Sequence, residues 1–271
     1  MTDRTPTLMG IVNVTPDSFS DGGRFDETAL AVEHALKLAT EGAHILDIGG
    51  ESTRPGAAPV TEQEELDRVI PVVEALSSRI DELTRLSIDT RKPAVAEAAI
   101  AAGAHIWNDV SALTFSGDSV SVAAKLDVPI VLMHAQGDPR TMQESPRYND
   151  VVADVLDFLM NRIAACVAAG ISKDHLIADP GIGFGKTLEH NLALLGSLAD
   201  FEKLDVPILL GASRKRFIAA LDREGPADER LGGSLAAVLA AWRQGVTWFR
   251  VHDVAATRQA LAVTKALETR R

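Results

Sequence analysis

The chain has 271 residues, 46% hydrophobic and 24% charged, which fits one closed domain with a large core and excludes a disordered chain. A net charge of -11 disfavours a nucleic-acid partner, because a negative field repels phosphate backbones, but leaves room for a small anionic substrate met by a local cluster of cations. The one cysteine, Cys166, excludes an intramolecular disulfide and a multi-cysteine metal site. No apolar run approaches the ~18 residues of a membrane span, and Met1–Thr7 is polar, so a cytoplasmic protein with no membrane partner is expected.

Eight short apolar runs each end at residues suited to chemistry. Met9–Val12 leads to Asn13, Ile45-Leu46 to Asp47, and Leu86–Ile88 to Asp89. Ile106-Trp107 leads to Asn108 and Asp109, Ile130–Met133 to His134, and Leu176–Ala178 to Asp179. Ile208–Leu210 leads to Ser213 and Lys215, and Trp248-Phe249 to Arg250, His252 and Asp253. The runs are continuous rather than alternating, as in a parallel sheet buried on both faces. Between them lie stretches of helical spacing. Thr28–Glu41 sets Leu30, Ala31, His34, Ala35 and Leu38 on one face. Glu62–Ile80 does the same with Leu66, Val69, Ile70 and Val73, and Pro71 is expected to bend it. Val151–Ala169 and Ser234–Gln244 are the other long helices. Gly42, Gly103, Gly170 and Gly245 each stand between a helix and a strand, where a left-handed residue ends a helix.

This alternation predicts an α/β chain folded as one (β/α)8 TIM barrel over residues 1–271, with the polar strand ends around one mouth. An open doubly wound sheet would instead carry a Gly-rich turn from its first strand straight into a helix. Here the first strand enters a long loop, Val14–Phe25, with two Asp, three Ser or Thr hydroxyls and Gly22-Gly23. The second enters another, Gly49–Val60. Two long loops on one face read as lids.

Asn13 offers an amide oxygen that suits Mg²⁺ bound with substrate phosphate, or caps a turn; spacing alone leaves both open. Asp89, Asn108 and Asp179 would each, singly, read as a helix cap. Three such groups on different strands of one mouth point to a site for the N–H and C=O edges of a flat heterocycle. Arg54, Lys215, Arg250 and His252 supply positive charge, the last three on the strands where barrels commonly hold phosphate. Asp179–Lys186 is glycine-rich but lacks the spacing of a nucleotide-binding loop. His34, His44, His105, His175 and His190 read as surface or packing residues.

Taken together, the segments Met9–Gly23, Asp47–Gly56, Ser87–Thr90, Asn108–Val110, Leu132–His134, Asp179–Lys186, Ser213–Lys215 and Arg250–Asp253 resemble, in order, the motifs of the dihydropteroate synthase family of pterin-binding barrels. The resemblance implies condensation of 6-hydroxymethyl-7,8-dihydropterin diphosphate with 4-aminobenzoate, releasing diphosphate, with Mg²⁺ as cofactor and sulfonamides as competitors. It implies that Asp89, Asn108, Asp179 and Lys215 grip the pterin, with Met133 and Phe184 as walls. Asn13 would contact the metal, and Asn13, Arg54, Arg250 and His252 the diphosphate. Phe19, Thr53, Pro55, Ser213 and Lys215 would form the aminobenzoate pocket. Asp21, Lys215 and Arg250 would be catalytic, with Asp21 stabilising a pterin-methylene cation on an SN1-like path. Asp47 is expected to orient the loop carrying Thr53 and Arg54, and His134 has no assigned role. The family also implies a homodimer, with the Ala-rich 235–242 helix as a contact face. The alternatives are a pterin-binding methyltransferase, which would need a corrinoid partner and no diphosphate site, and a non-catalytic relative that binds a partner.

Overall fold

A computed structural model describes residues 4–15, 24–52, 57–137 and 141–268, the side chains of 24–26 excepted. Its strands are β1 (Thr7–Asn13), β2 (Ile45–Gly49), β3 (Arg85–Asp89), β4 (Ile106–Asp109), β5 (Ile130–Met133), β6 (Leu176–Asp179), β7 (Leu209–Leu210) and β8 (Trp248–Val251). All pairings are parallel, in the order β6-β5-β4-β3-β2-β1-β8-β7. A parallel bridge between Ala178 and Ile208 joins the two ends of that order, so the sheet closes into a barrel. The helices are α1 (Arg24–Glu41), α2 (Glu62–Ser77), α3 (Pro93–Ala101), α4 (Ser119–Leu126), α5 (Val151–Ala168), α6 (Leu188–Gly196), α7 (Arg216–Leu221), α8 (Leu231–Arg243) and α9 (Val254–Glu268). The expected (β/α)8 barrel is therefore the observed fold, with one addition: the seventh strand is followed by two helices, the short α7 and then α8.

Register decides what each strand residue faces. Side chains alternate between the barrel interior and the helical layer. Met9, Ile45, Ile106, Val131, Ile177 and Leu209 form a small interior cluster closed by Trp248. Leu8, Leu46, Leu86, Trp107, Leu132, Leu176, Leu210 and Phe249 belong to the larger cluster between sheet and helices. Stepping two residues along each strand from the interior cluster reaches Ile11, Asp47, Asn108, Met133 and Asp179. Ladder partners add Asp89, opposite Gly49 and Asn108. The interior is thus apolar at its amino-terminal end and polar at its carboxyl-terminal end.

The helices match their expected faces with two informative shifts. In α1, Ala31, Ala35 and Leu38 are buried but Leu30 is 43% exposed, since it lies one residue, about 100°, off that stripe. In α2, a Thr61–Glu64 capping box starts the helix, and the chain stays helical through Pro71. Its buried face is Glu65, Val69, Val72, Val73 and Leu76, so it includes a glutamate that hydrophobic periodicity assigns to the surface. Glu65 is accommodated by Lys92 at 2.5 Å, and Lys92 also meets Glu51 at 2.8 Å. Gly42, Gly103, Gly170 and Gly245 all have positive φ, as expected. Cys166 is buried in the core. In α8, Ala237, Val238, Ala241 and Trp242 pack inward, which leaves Ala236 and Ala240 facing out. Among the described residues no helix is long and apolar enough to cross a membrane.

Two histidines read as packing residues have defined backbone roles. His44 Nδ1 accepts from the Leu8 amide at 3.0 Å, and His105 Nδ1 from the Leu86 amide at 3.1 Å. Both bonds lie near the amino-terminal starts of their strands, away from the polar mouth.

Candidate active site

Asp47, fully buried on β2, is the hub of the mouth. Its Oδ2 accepts from Arg250 Nε at 2.6 Å and from Asn108 Nδ2 at 3.1 Å. Arg250 also donates through Nη2 to Asp89 Oδ2 at 2.7 Å. One guanidinium on β8 thus bridges carboxylates on β2 and β3, and the amide on β4 joins through Asp47. This corrects the reading of Asp47 as an orienter of the following loop. Its side chain points into the barrel, because Ile11 and Ser87 flank it in the ladder with the same parity as Met9 and Ile45. The hydrogen bonds then orient Arg250 and Asn108 instead.

The electrostatics follow from that packing. Burial pushes the Asp89 carboxyl up to about 7, opposed by Arg250 and assisted by Asp47. Burial also raises Asp179, against the pull of Lys215. For Arg250, burial works against the charge, but Asp47 and Asp89 more than offset it and the guanidinium stays protonated.

Asp179 sits across the mouth on β6, its Oδ1 accepting from the Gly181 amide at 2.7 Å. Gly211, just past β7, faces the space between them: a Cβ there would lie 3.7 Å from Asp179 Oδ2 and 3.9 Å from Arg250 Cβ. Lys215, N-cap of α7, reaches back over this space. Its Nζ donates to the Ile182 carbonyl and stands 4.4 Å above the centre of the Phe184 ring. Burial draws the amine down to about 8, while Asp179 holds it up. Met133 is 4% exposed at the end of β5. Asp89, Asn108, Met133, Asp179, Phe184, Lys215 and Arg250 therefore share one mouth.

Ser213 and His252, expected in different subsites, touch: Ser213 Oγ and His252 Nδ1 are 3.0 Å apart, and the His252 amide donates to Ser213 Oγ at 3.2 Å. The Ser213–Lys215 turn is held by Arg214, a left-handed residue (φ 58°). Its guanidinium makes a bidentate pair with Asp253 at 3.0 and 2.6 Å. So the loops after β7 and β8 are locked together, and α7 starts directly beyond Lys215. Asn13 is half-buried at the end of β1, opposite Gly49. Phe19, Asp21, Thr53, Arg54 and Pro55 lie outside the described residues.

A mouth with buried carboxylates bridged by a guanidinium, a lysine over an aromatic ring and a Ser213–His252 pair suits a heterocycle linked to an anion. The match of residues 9–252 to the family model described as a pterin binding enzyme decides among the possibilities. The chain belongs to the dihydropteroate synthase family of pterin-binding enzymes. The dihydropteroate synthase of Escherichia coli strain K12 is 50% identical over 261 residues, covering 96% of this chain and 91% of that protein. A Yersinia pestis dihydropteroate synthase solved with a sulfonamide drug has a TM-score of 0.91 at 48% identity, covering 98% of this chain and 95% of its own. One from Xanthomonas albilineans, in complex with 7,8-dihydropteroate, has a TM-score of 0.89 at 48% identity and covers 99% and 95%. As a member of that family, the chain is a transferase.

The partners of two groups were not legible in the sequence. Asp47 was legible as a strand-end carboxylate, but its partner Arg250 is 203 residues away. His134 had no visible partner until the fold set it 2.9 Å from the buried Lys186.

Proposed function

We propose that this chain joins 6-hydroxymethyl-7,8-dihydropterin diphosphate to 4-aminobenzoate, forming 7,8-dihydropteroate and releasing diphosphate. The observation that carries the reading is the convergence of Asp89, Asn108, Asp179 and Lys215 on one mouth. Two carboxylates and an amide suit the N–H-bearing edge of a pterin, and a lysine donor suits its acceptor edge. Met133 and Phe184 supply apolar faces for a flat ring. Arg250, with Ser213 and His252 beside it, supports a diphosphate subsite at the ends of β7 and β8, to which Arg54 would add.

Mg²⁺ fits this site as a metal arriving with the substrate. No group of three His, Cys, Asp or Glu side chains forms a metal cage among the described residues. Asn13 offers a half-buried amide oxygen at the mouth, and Mg²⁺ commonly takes one or two protein ligands plus phosphate oxygens and water. When bound, it would neutralise the leaving diphosphate's charge.

The chain's own residues then have three tasks. Arg250 and His252 hold the diphosphate as the methylene carbon–oxygen bond breaks. The pterin ring takes up the positive charge, and Asp21 steadies it. The aniline nitrogen attacks the methylene carbon and loses its proton to solvent, so positioning and exclusion of water matter more than a strong base.

The test is dihydropteroate formation by the purified chain from both substrates, followed chromatographically with labelled 4-aminobenzoate. Folded protein that binds the pterin diphosphate but makes no product would refute the reading. Within it, Asp21→Ala is expected to leave pterin diphosphate affinity within about twofold while slowing turnover at least about tenfold, as loss of a group acting only in the transition state should. Unchanged turnover in stopped-flow assays would remove Asp21 from the chemistry. Phe19→Leu is expected to change sulfonamide inhibition more than pterin binding; equal shifts in both would move Phe19 out of the aminobenzoate pocket.

A further inference from the structure

We infer that Lys186 is a positioning residue for the pterin half of the site, acting through His134 to tie the loop after β6 to the loop after β5. The inference rests on the pterin-binding reading above. Lys186 and His134 are 3% and 6% exposed. Lys186 Nζ lies 2.9 Å from His134 Nδ1, and donates to the Phe184 carbonyl at 3.1 Å and the His134 carbonyl at 3.4 Å. Among the described residues no carboxylate forms an ion pair with it. A buried amine served only by neutral acceptors costs more than an apolar side chain of similar length would, so its three directed bonds need a reason to persist.

Their geometry supplies one. Burial and the neighbouring Lys186 hold the His134 imidazole neutral, its pKa drawn down to about 3, so its Nδ1 can accept. Burial also lowers Lys186 to about 7, with Asp179 opposing and Lys215 adding to that shift. The imidazole itself is fixed: the Phe158 ring meets it edge-on at 4.9 Å, and the Tyr148 ring lies 6.0 Å away.

The loop held this way carries what the pterin would touch. Phe184, whose carbonyl binds Lys186, is the ring beneath Lys215, and the neighbouring Ile182 carbonyl receives the Lys215 amine. Gly181 and Gly185 (φ 68° and 61°) lie so close to the His134 and Gln136 carbonyl oxygens that a Cβ at either would overlap them. Gln143 to the Gly183 carbonyl (2.7 Å) and Tyr148 to the Gly185 carbonyl (2.8 Å) brace the same loop from outside. Lys186 and His134 thus set the height of the Phe184 ring and the reach of Lys215 without facing the substrate themselves.

The experiment compares Lys186→Met, Lys186→Gln, His134→Leu and His134→Asn with the unaltered protein in steady-state assays, with folding checked by thermal melts. Lys186→Met and His134→Leu are expected to raise KM for the pterin diphosphate about tenfold while KM for 4-aminobenzoate stays within about twofold. His134→Asn, whose amide oxygen can stand where Nδ1 stands, is expected to recover most of the loss, and Lys186→Gln part of it. Equal losses for both substrates, no loss, or an asparagine as damaging as leucine would overturn the inference. If Lys186→Met fails to fold, the His134 pair still decides it. If the unaltered protein does not bind pterin diphosphate in calorimetry, it is the pterin reading that fails.

Discussion

Arg250→Ala is expected to lower kcat about 100- to 1000-fold, the usual cost of removing one preorganised group that stabilises developing negative charge. In the proposed reaction that charge appears on the departing diphosphate. A second loss follows from the ion network. Arg250 is the cation between Asp47 and Asp89, at 2.6 and 2.7 Å. Burial already lifts the Asp89 carboxyl to about 7, and Arg250 is the chief group holding it down. Without that charge the pKa rises further, and at neutral pH Asp89 carries a proton. A protonated carboxyl accepts fewer N–H bonds from a pterin edge, so KM for the pterin substrate rises too. The two losses separate with pH. From pH 7 to 9 the ratio of the variant's pterin KM to that of the unaltered enzyme at the same pH is expected to fall as Asp89 ionises, a comparison from which the Lys215 titration shared by both drops out, while kcat stays low. A variant with unchanged kcat would take Arg250 out of the diphosphate chemistry. A ratio that does not fall with pH would remove Asp89 ionisation as the cause of the raised KM.

Asp47→Ala is expected to destabilise the fold by about 3–5 kcal/mol, the range for breaking a buried ion pair from one side. The cost arises because Arg250 Nε and Asn108 Nδ2 both bond the single oxygen Asp47 Oδ2, so alanine leaves a buried cation and an amide short of an acceptor. Urea denaturation measures the loss. Adding Arg250→Ala to it should cost much less than the sum of the two single changes, because the second change removes the cation that the first left with Asp89 as its remaining carboxylate. Additive costs would mean that the pair is not the source. Asp47→Asn separates charge from shape. It keeps an acceptor for Arg250 but removes a negative charge that raises Asp89, so the acid limb of pterin binding is expected to move to lower pH. A limb that moves upward or stays in place would contradict the coupling between Asp47 and Asp89.

The legible and illegible parts of this protein divide by sequence distance. Strand ends such as Asn13, Asp89, Asn108 and Asp179 stand out because an apolar run stops at them, a local signal. Asp47 carried the same signal and was still misread, because a strand-end carboxylate has several uses and only its partner selects among them. Glu65 was hidden differently: in α2 it occupies a buried position, where Lys92, 27 residues on, donates to its carboxylate. Hydrophobic periodicity ranks a glutamate as surface whatever faces it. Adjacent polar residues also needed the ladder to tell them apart. Asn108 points into the barrel, whereas Asp109 points outward, its carboxylate accepting from the Ser111 and Leu113 amides to shape the following turn.

By itself the sequence determined the α/β alternation, the eight strands, the mouth at their carboxyl ends and the family, because period, caps and ordered motifs are written in neighbouring residues. The tertiary structure alone decided the pairings across the barrel: Arg250 between Asp47 and Asp89, Ser213 against His252, Arg214 on Asp253, and Lys186 under His134. Barrel closure brings β8 beside β1, and ladder parity then selects which side chains turn inward to meet. No local pattern encodes those contacts, since each depends on the register of strands 39 to 203 residues apart in the chain.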